Sequence, residues 1–199
     1  MSQTIDYYFA PQSPWTYLGH ARLAKIANET GSKVNVLPVD LGRVFPVSGG
    51  LPLPKRAPQR QSYRLVELKR FSEHLQMPLN LQPKYFPVSG DDAAKLIIAV
   101  DLHDGWEAAL RIAGAILTAC WAQDRNIASE ATLIELLSEQ GLQAERIEQA
   151  HSQAAQQRYD ADTQRAIEVG IFGAPSFVIE GEMFWGQDRL DFVERKLKG

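Results

Sequence analysis

The sequence has one cysteine, Cys120, among 199 residues. A lone cysteine can form neither an internal disulfide nor a cysteine metal site, so a dithiol oxidoreductase is excluded. Any thiol chemistry therefore requires a sulfur atom from another molecule. Cys120 falls on the apolar stripe of a predicted helix, where cysteines are usually inert packing residues, and we predict that it lies in the core.

Long apolar runs and an excess of one charge are also missing. No window approaches the roughly 18 consecutive apolar residues of a membrane span, and residues 1–6 lack the pattern of a signal peptide. The net charge is only -3, and no long basic run suggests binding to nucleic acid or an anionic membrane. The four histidines have no partner at metal-ligand spacing. We therefore expect a cytoplasmic protein with no metal and with a small-molecule or protein partner.

The hydrophobic content of 45% and the charged content of 23% are typical of a chain that folds as one compact domain. Thr4–Phe9 is aromatic and β-branched, which predicts a buried strand. Ser13 and Pro14 suit the start of a helix that ends at Gly31, and residues 33–39 return to strand alternation. This order predicts a βαβ unit with parallel strands.

Residues 59–170 show only helical periodicity, whereas residues 41–58 are rich in glycine and proline and predict a long loop. Ser176–Ile179 and its neighbours up to residue 185 predict a hairpin, and Asp188 is predicted to cap a last helix. The order βαβ, helices, ββα predicts an α/β thioredoxin-like fold. We expect a single domain over residues 1–199, with residues 59–170 as a largely helical insertion.

Ser13 lies where the first strand meets the first helix. Free N–H groups and the helix dipole stabilise an anion at such a junction. Serine cannot perform redox chemistry, but its hydroxyl can donate a hydrogen bond to a thiolate. The alternative is that Ser13 is only a helix cap ahead of Pro14.

Two more segments favour binding of a peptide-like ligand. A Gly-x-Pro step just before a strand, here Ala174-Pro175, is where this fold places a cis-proline that faces the first helix. An ordinary trans turn is the alternative. Trp185, Gly186, Gln187 and Asp188 open the last helix, with N–H groups for a carboxylate and a side chain for an ammonium group.

Arg60 follows the glycine- and proline-rich segment, where its guanidinium could hold a carboxylate by two hydrogen bonds. From the sequence alone, a solvated surface arginine is the better interpretation.

Four stretches together resemble one family over nearly the whole length: residues 7–18, residues 60–71 with Arg60-x-x-Tyr63, residues 169–177, and residues 183–190. The chain resembles the 2-hydroxychromene-2-carboxylate isomerases, which are related to kappa-class glutathione transferases and to DsbA-like proteins. The insertion of an all-helical subdomain is of that DsbA and kappa-class type.

The resemblance implies glutathione as cofactor and a reaction in which a thiolate adds reversibly to a conjugated carbon. It implies that Ser13 is catalytic and contacts the sulfur, and that Ala174 pairs with the cysteinyl part beside Pro175. It further implies that Arg60 faces the glycine carboxylate. The γ-glutamyl end of glutathione is implied to bind Trp185, Gly186, Gln187 and Asp188.

The chain departs from the family pattern in the substrate region. Phe45, two residues beyond Arg43, replaces a substrate-facing lysine, and Lys55 replaces an asparagine. Lys55 could supply the lost positive charge, and Phe45 and Phe86 could flank an aromatic ring. The predicted substrate residues are Val44, Phe45, Lys55 and Phe86.

The function so predicted is a glutathione-dependent isomerase of a small aromatic-degradation intermediate. A kappa-like transferase or peroxidase is an alternative that would consume glutathione. A non-catalytic module that holds an extended peptide against Ala174 and Pro175 is another. A homodimer is compatible with the resemblance, and the sequence leaves the oligomeric state open.

Overall fold

The computed structural model describes residues 3–199, so Met1 and Ser2, the start of the segment assessed for a signal peptide, lie outside the described residues. Four strands form one sheet: β1 (Thr4–Phe9), β2 (Lys33–Pro38), β3 (Ser176–Ile179) and β4 (Glu182–Trp185). Their order is β2-β1-β3-β4. β1 and β2 are parallel, and the other two pairs are antiparallel. The predicted βαβ unit and C-terminal hairpin are confirmed.

Helices surround this sheet, most of them between β2 and β3. They are α1 (Pro14–Thr30), α2 (Leu41–Ser48), α3 (Pro58–Leu75), α4 (Asp91–Asp104), α5 (Trp106–Trp121), α6 (Glu130–Glu139), α7 (Arg146–Ala150), α8 (Gln153–Glu168) and α9 (Leu190–Lys198). No helix within residues 3–199 is long and apolar enough to cross a membrane.

Local sequence explains where α1 begins and ends. The Ser13 hydroxyl oxygen accepts a hydrogen bond from the Thr16 N–H at 3.2 Å, and Pro14 occupies the first helical position, where no N–H is needed. Gly31 ends the helix with a φ of 63°, a left-handed conformation that glycine adopts without steric cost. α1 is therefore a well-defined element whose N-terminus is fixed beside the end of β1.

The helical insertion packs an apolar face against the sheet and α1. Its helix α5 contributes a continuous buried stripe that includes Cys120, which is 3% exposed. Burial, and then the nearby charge of Asp124, raise the pKa of the Cys120 thiol to about 12. The predicted core position of Cys120 is confirmed, and a thiol so difficult to ionise is a poor nucleophile.

The prediction of a loop over residues 41–58 was wrong. Its first half is α2, which Asp40 caps by accepting a hydrogen bond from the Gly42 N–H at 2.7 Å. Leu41, Val44 and Phe45 have helical spacing, but the helix has only eight residues and only Val44 is buried, so the periodicity is too short to stand out. Pro46 lies inside the helix and made the segment resemble a loop. A short 3-10 helix, Leu53–Lys55, follows.

The prediction that Asp188 caps the last helix was also wrong. Gln187–Arg189 forms a 3-10 turn, and α9 begins after it without a side-chain cap. The Asp188 carboxylate instead accepts a hydrogen bond from Arg189 Nη1 at 2.8 Å. The Asp188 carboxylate therefore bonds its neighbour Arg189 and lies over Gly186, and it does not cap the N–H groups at the start of α9.

Candidate active site

A cleft of about 660 Å³ opens between α3 and the loops at one end of the sheet. Its volume lies in the range of small-molecule sites. Trp15 of α1 contributes to its lining, and the Trp15 ring makes an edge contact with Phe71 of α3 at a centroid distance of 5.9 Å. Six of the predicted residues line this cleft together: Arg60, Ala174, Trp185, Gly186, Gln187 and Asp188.

The loop before β3 forms the wall opposite α3. The Ala174–Pro175 peptide bond is cis, as predicted. Within residues 3–199, no group forms a hydrogen bond with the Ala174 backbone, whereas the Pro175 carbonyl accepts one from the Gly186 N–H at 2.9 Å. The Ala174 backbone is thus available to a ligand. The bond from Gly186 ties this loop to the turn after β4 but removes one of the N–H donors predicted for the γ-glutamyl end.

Gly186 permits the conformation of that turn. Its φ of 106° and ψ of 147° are almost restricted to glycine. A Cβ atom at this position would lie 2.5 Å from Asp188 Oδ1. Glycine therefore allows the Asp188 carboxylate to lie close over the turn, with Oδ2 bound to Arg189 and Oδ1 left to accept from a ligand cation.

Ser13 is half-buried and is not among the residues that line the cleft, although Trp15, two positions further on, is. Its hydroxyl oxygen accepts from the Thr16 N–H, as a cap does, and its O–H hydrogen can still be donated. Both interpretations of Ser13 are compatible with this geometry. Its contact with a sulfur atom stays a prediction.

None of the four predicted substrate residues lines the cleft. Val44 is fully buried in α2, and Lys55 is exposed in the 3-10 helix before α3. The guanidinium carbon of Arg56 lies 6.0 Å from the Phe45 ring centroid, and that of Arg64 lies 5.4 Å from the Phe86 centroid. Phe45 and Phe86 therefore contact two arginines that do line the cleft.

Sequence reasoning missed Arg56 and Arg64. They stand four residues before and four residues after Arg60. Arg60 and Arg64 lie on one face of α3, whereas Arg56 lies in extended backbone just before that helix. Within residues 3–199, none of the three pairs with a carboxylate. This four-residue spacing was visible in the sequence, but Arg56 fell in the segment predicted to be a loop.

Their surroundings depress the pKa values of two of these arginines. Burial, and next the charge of Arg60, lower the pKa of Arg56, whose Nε donates to the Leu51 carbonyl at 2.7 Å. Burial, and next the charge of Arg56, lower the pKa of Arg64 to about 10. Both cations are thus partly withdrawn from water and near a like charge, which an anionic ligand would relieve.

The two acidic side chains that line the cleft each accept a hydrogen bond from an arginine other than Arg56, Arg60 and Arg64. Glu67 accepts a hydrogen bond from Arg70 Nη1 at 2.6 Å, and Asp188 binds Arg189. The row Arg56, Arg60 and Arg64 is consequently a net positive charge in the cleft. The arrangement suits a ligand with more than one carboxylate, because a guanidinium binds a carboxylate by two parallel hydrogen bonds.

The histidines take no part in the cleft lining. His20 is buried under α5, where its Nε2 bonds the Leu110 carbonyl at 2.9 Å and its Nδ1 accepts from the Tyr7 hydroxyl at 3.1 Å. Burial lowers the pKa of His20 to about 4. Over residues 3–199, no cluster of three or more histidine, cysteine or acidic side chains is arranged to hold a metal ion.

Comparison with known proteins matches residues 4–198 to the family described as DSBA-like thioredoxin domain. A 2-hydroxychromene-2-carboxylate isomerase of Pseudomonas putida is 30% identical over 195 residues, which are 96% of this chain and 92% of the relative. An enzyme of the same name from Sphingobium xenophagum is 28% identical over 199 residues, 99% of each chain.

A solved structure of a 2-hydroxychromene-2-carboxylate isomerase is also similar, with a TM-score of 0.81 and 28% identity. The match covers 98% of this chain and 94% of that one. These matches, with the observed strand order, confirm the predicted thioredoxin-like fold of DsbA type.

Proposed function

We propose that this chain, which belongs to the DSBA-like thioredoxin domain family and within it to the 2-hydroxychromene-2-carboxylate isomerases, is a glutathione-dependent isomerase of an aromatic-degradation intermediate. The observation that carries the proposal is the cleft itself, in which a row of unpaired arginines faces the cis-proline loop. Since the chain has one cysteine, buried in the core, the sulfur must come from the ligand.

The residues of the cleft fit the groups of glutathione. Glutathione has one ammonium group, two carboxylates and two peptide bonds, and the cleft offers a partner of each kind. Asp188 Oδ1 suits the ammonium group, the Ala174 backbone suits the cysteinyl peptide, and Arg60 suits the glycine carboxylate. The ligand would therefore extend from the turn after β4 towards α3.

When bound, glutathione supplies a sulfur nucleophile that opens a conjugated double bond to rotation and is then released unchanged. The protein's part is electrostatic. The N-terminus of α1 and the Ser13 hydroxyl favour an anionic sulfur, because a helix start carries partial positive charge. The arginine row brings positive charge to the substrate side, where negative charge develops on oxygen during addition.

Calorimetry and catalysis together test this function. We expect glutathione to bind the wild-type protein, and Asp188→Asn to weaken binding by about tenfold, because a hydrogen bond to a charged group contributes about 1.5–3 kcal/mol. Asp191→Asn is the matched control, since Asp191 lies three residues further on, is exposed and pairs with Arg22 instead. It should bind glutathione like the wild type.

Catalysis is followed by the absorbance of 2-hydroxychromene-2-carboxylate with a trace of glutathione. Isomerisation without loss of glutathione is the expected result. Consumption of glutathione in proportion to product would instead identify a transferase or peroxidase. Absence of glutathione binding would contradict the proposal and leave a non-catalytic peptide-binding module.

A further inference from the structure

Arg64 has surroundings unlike those of the paired arginines of this protein. Its guanidinium carbon lies 5.4 Å from the Phe86 ring centroid and 5.7 Å from that of Trp121. The two rings contact each other at 4.8 Å. Within residues 3–199, Arg64 has no hydrogen bond and no ion pair, although it lines the cleft. Arg64 is therefore a cation that packs against two aromatic rings and has no hydrogen-bond acceptor among these residues.

Arg146 shows the usual arrangement by contrast. It binds both oxygens of Asp104, at 2.6 and 2.8 Å, and these hydrogen bonds raise the pKa of Arg146. Burial and the neighbouring Arg56 lower that of Arg64 instead. A half-withdrawn, unpaired guanidinium at a cleft is the arrangement that a carboxylate ligand completes, because the fork of N–H donors matches its two oxygens.

The choice of carboxylate follows from the position of Arg64 along α3. It lies one helical turn, about 6 Å, beyond Arg60. In the proposed function Arg60 binds the glycine carboxylate of glutathione, and the γ-glutamyl carboxylate lies with its ammonium group at the turn after β4, at the other end of the ligand. Only Arg64 of the row contacts the Phe86 and Trp121 rings. Trp121 is fully buried and neither ring lines the cleft, so both rings hold the guanidinium from behind. A flat aromatic group would pack against an aromatic side chain that does line the cleft, such as Tyr63, while its acid reached the guanidinium.

On this basis, which rests on the proposed function, we propose that Arg64 is the residue that selects an aromatic substrate by its carboxylate, with Phe86 and Trp121 positioning the guanidinium. This assignment replaces Lys55 as the substrate anchor. Lys55 is exposed in the 3-10 helix before α3 and does not line the cleft.

The test uses an unreactive pair of ligands, 3-phenylpropionate and its uncharged amide, titrated into the full chain by calorimetry with and without glutathione. We expect the wild type to bind the acid about tenfold or more tightly than the amide. Arg64→Gln should abolish this preference, and Arg64→Lys, which keeps the charge but not the fork, should retain part of it. Circular dichroism establishes that both variants are folded.

Two matched lysine variants serve as controls. Lys69→Gln removes an exposed cation from the same helix, where it pairs with Glu73, and Lys55→Gln removes the earlier candidate. Both should keep the wild-type preference for the acid. Retention of that preference in Arg64→Gln, its loss in Lys55→Gln, or failure of the wild type to bind the acid would overturn the assignment.

The two proposals fail in different ways. A wild type that binds the acid through Arg64 but does not bind glutathione would remove the proposed isomerase function only. A wild type that binds glutathione and isomerises, while Arg64→Gln keeps both its substrate KM and its preference for the acid, would remove the role of Arg64 only. With both proposals correct, Arg64→Gln raises the KM for substrate and leaves glutathione affinity within about twofold, since its partner is the substrate acid.

Discussion

On one wall of the cleft, the loops that carry Ala174 and Gly186 are joined by a backbone hydrogen bond, whereas the α3 wall presents three arginine side chains without carboxylate partners. The first wall belongs to the thioredoxin-like frame and recognises by backbone geometry. The second is formed by α3 of the helical insertion and the residues just before it, and it offers charge. The difference teaches that the frame wall offers fixed backbone groups, which suit a peptide-like ligand, whereas the α3 wall offers positive charge, which suits an acidic ligand.

The largest expected effect tests whether the start of α1 is catalytic as well as structural. Ser13→Ala removes a helix cap and, in the proposed function, a donor to sulfur. We expect the isomerisation rate to fall by about 100-fold or more, because donors that stabilise an anion at a reacting centre typically contribute about 2.7–4 kcal/mol. Stability should fall by only about 1 kcal/mol. Steady-state kinetics and urea unfolding measure the two effects.

Ser152→Ala is the matched control for Ser13. Ser152 caps α8 by accepting from the Ala155 N–H at 3.2 Å, as Ser13 accepts from the Thr16 N–H, and it does not line the cleft. The control should lose the same stability and keep full activity. If Ser13→Ala also kept full activity, Ser13 would be a cap and nothing more.

A smaller effect tests the backbone geometry of the frame wall. Gly186→Ala would bring a Cβ atom to 2.5 Å from Asp188 Oδ1 and impose a conformation that alanine rarely adopts. The displaced carboxylate should weaken glutathione binding by about tenfold, measured by calorimetry.

Gly181→Ala separates strain from recognition. Gly181 also has a positive φ, 83°, but a Cβ atom there meets open space. This variant should lose stability and bind glutathione normally. Equal loss of glutathione affinity in the two variants would show that the geometry of the turn after β4 does not position Asp188.

The thioredoxin-like frame was more predictable from sequence than the α3 wall for a physical reason. A cap such as Ser13 and a Gly-x-Pro step such as Ala174-Pro175 are local signals, readable within a few residues. The role of Arg64 depends on its contacts with Phe86 and Trp121, which come from distant parts of the chain. A pattern of neighbouring residues cannot predict contacts between side chains that are distant in the sequence.

Residues 41–58 show a different kind of error, because here a local sequence rule gave the wrong structure. Proline and glycine predicted a loop, but the cap at Asp40 and the burial of Val44 stabilise α2 despite Pro46. Tertiary contact overrode local propensity. Arg56, in the same segment directly after the 3-10 helix, was missed for that reason.

The smallest expected effect tests whether the contact between the frame and the helical insertion, at α1 and α5, influences binding in the cleft. His20 of α1 bonds the Leu110 carbonyl of α5, and burial lowers the pKa of His20 to about 4 from an ordinary 6.5. Below pH 6.5 the unfolded chain therefore takes up a proton that the folded chain refuses until about pH 4. Stability is complete above pH 6.5 and should fall by about 2 kcal/mol at pH 5 through this group.

Urea unfolding of the wild type and His20→Gln between pH 7 and pH 5 measures this effect. The variant should lose the part of the pH dependence that belongs to His20, whereas His74→Gln, at an exposed position on α3, should keep the wild-type slope. Glutathione affinity should change little over the same range, because no histidine lines the cleft. A parallel fall of affinity and stability would mean instead that the frame–insertion contact controls the cleft, so that its two walls do not act independently.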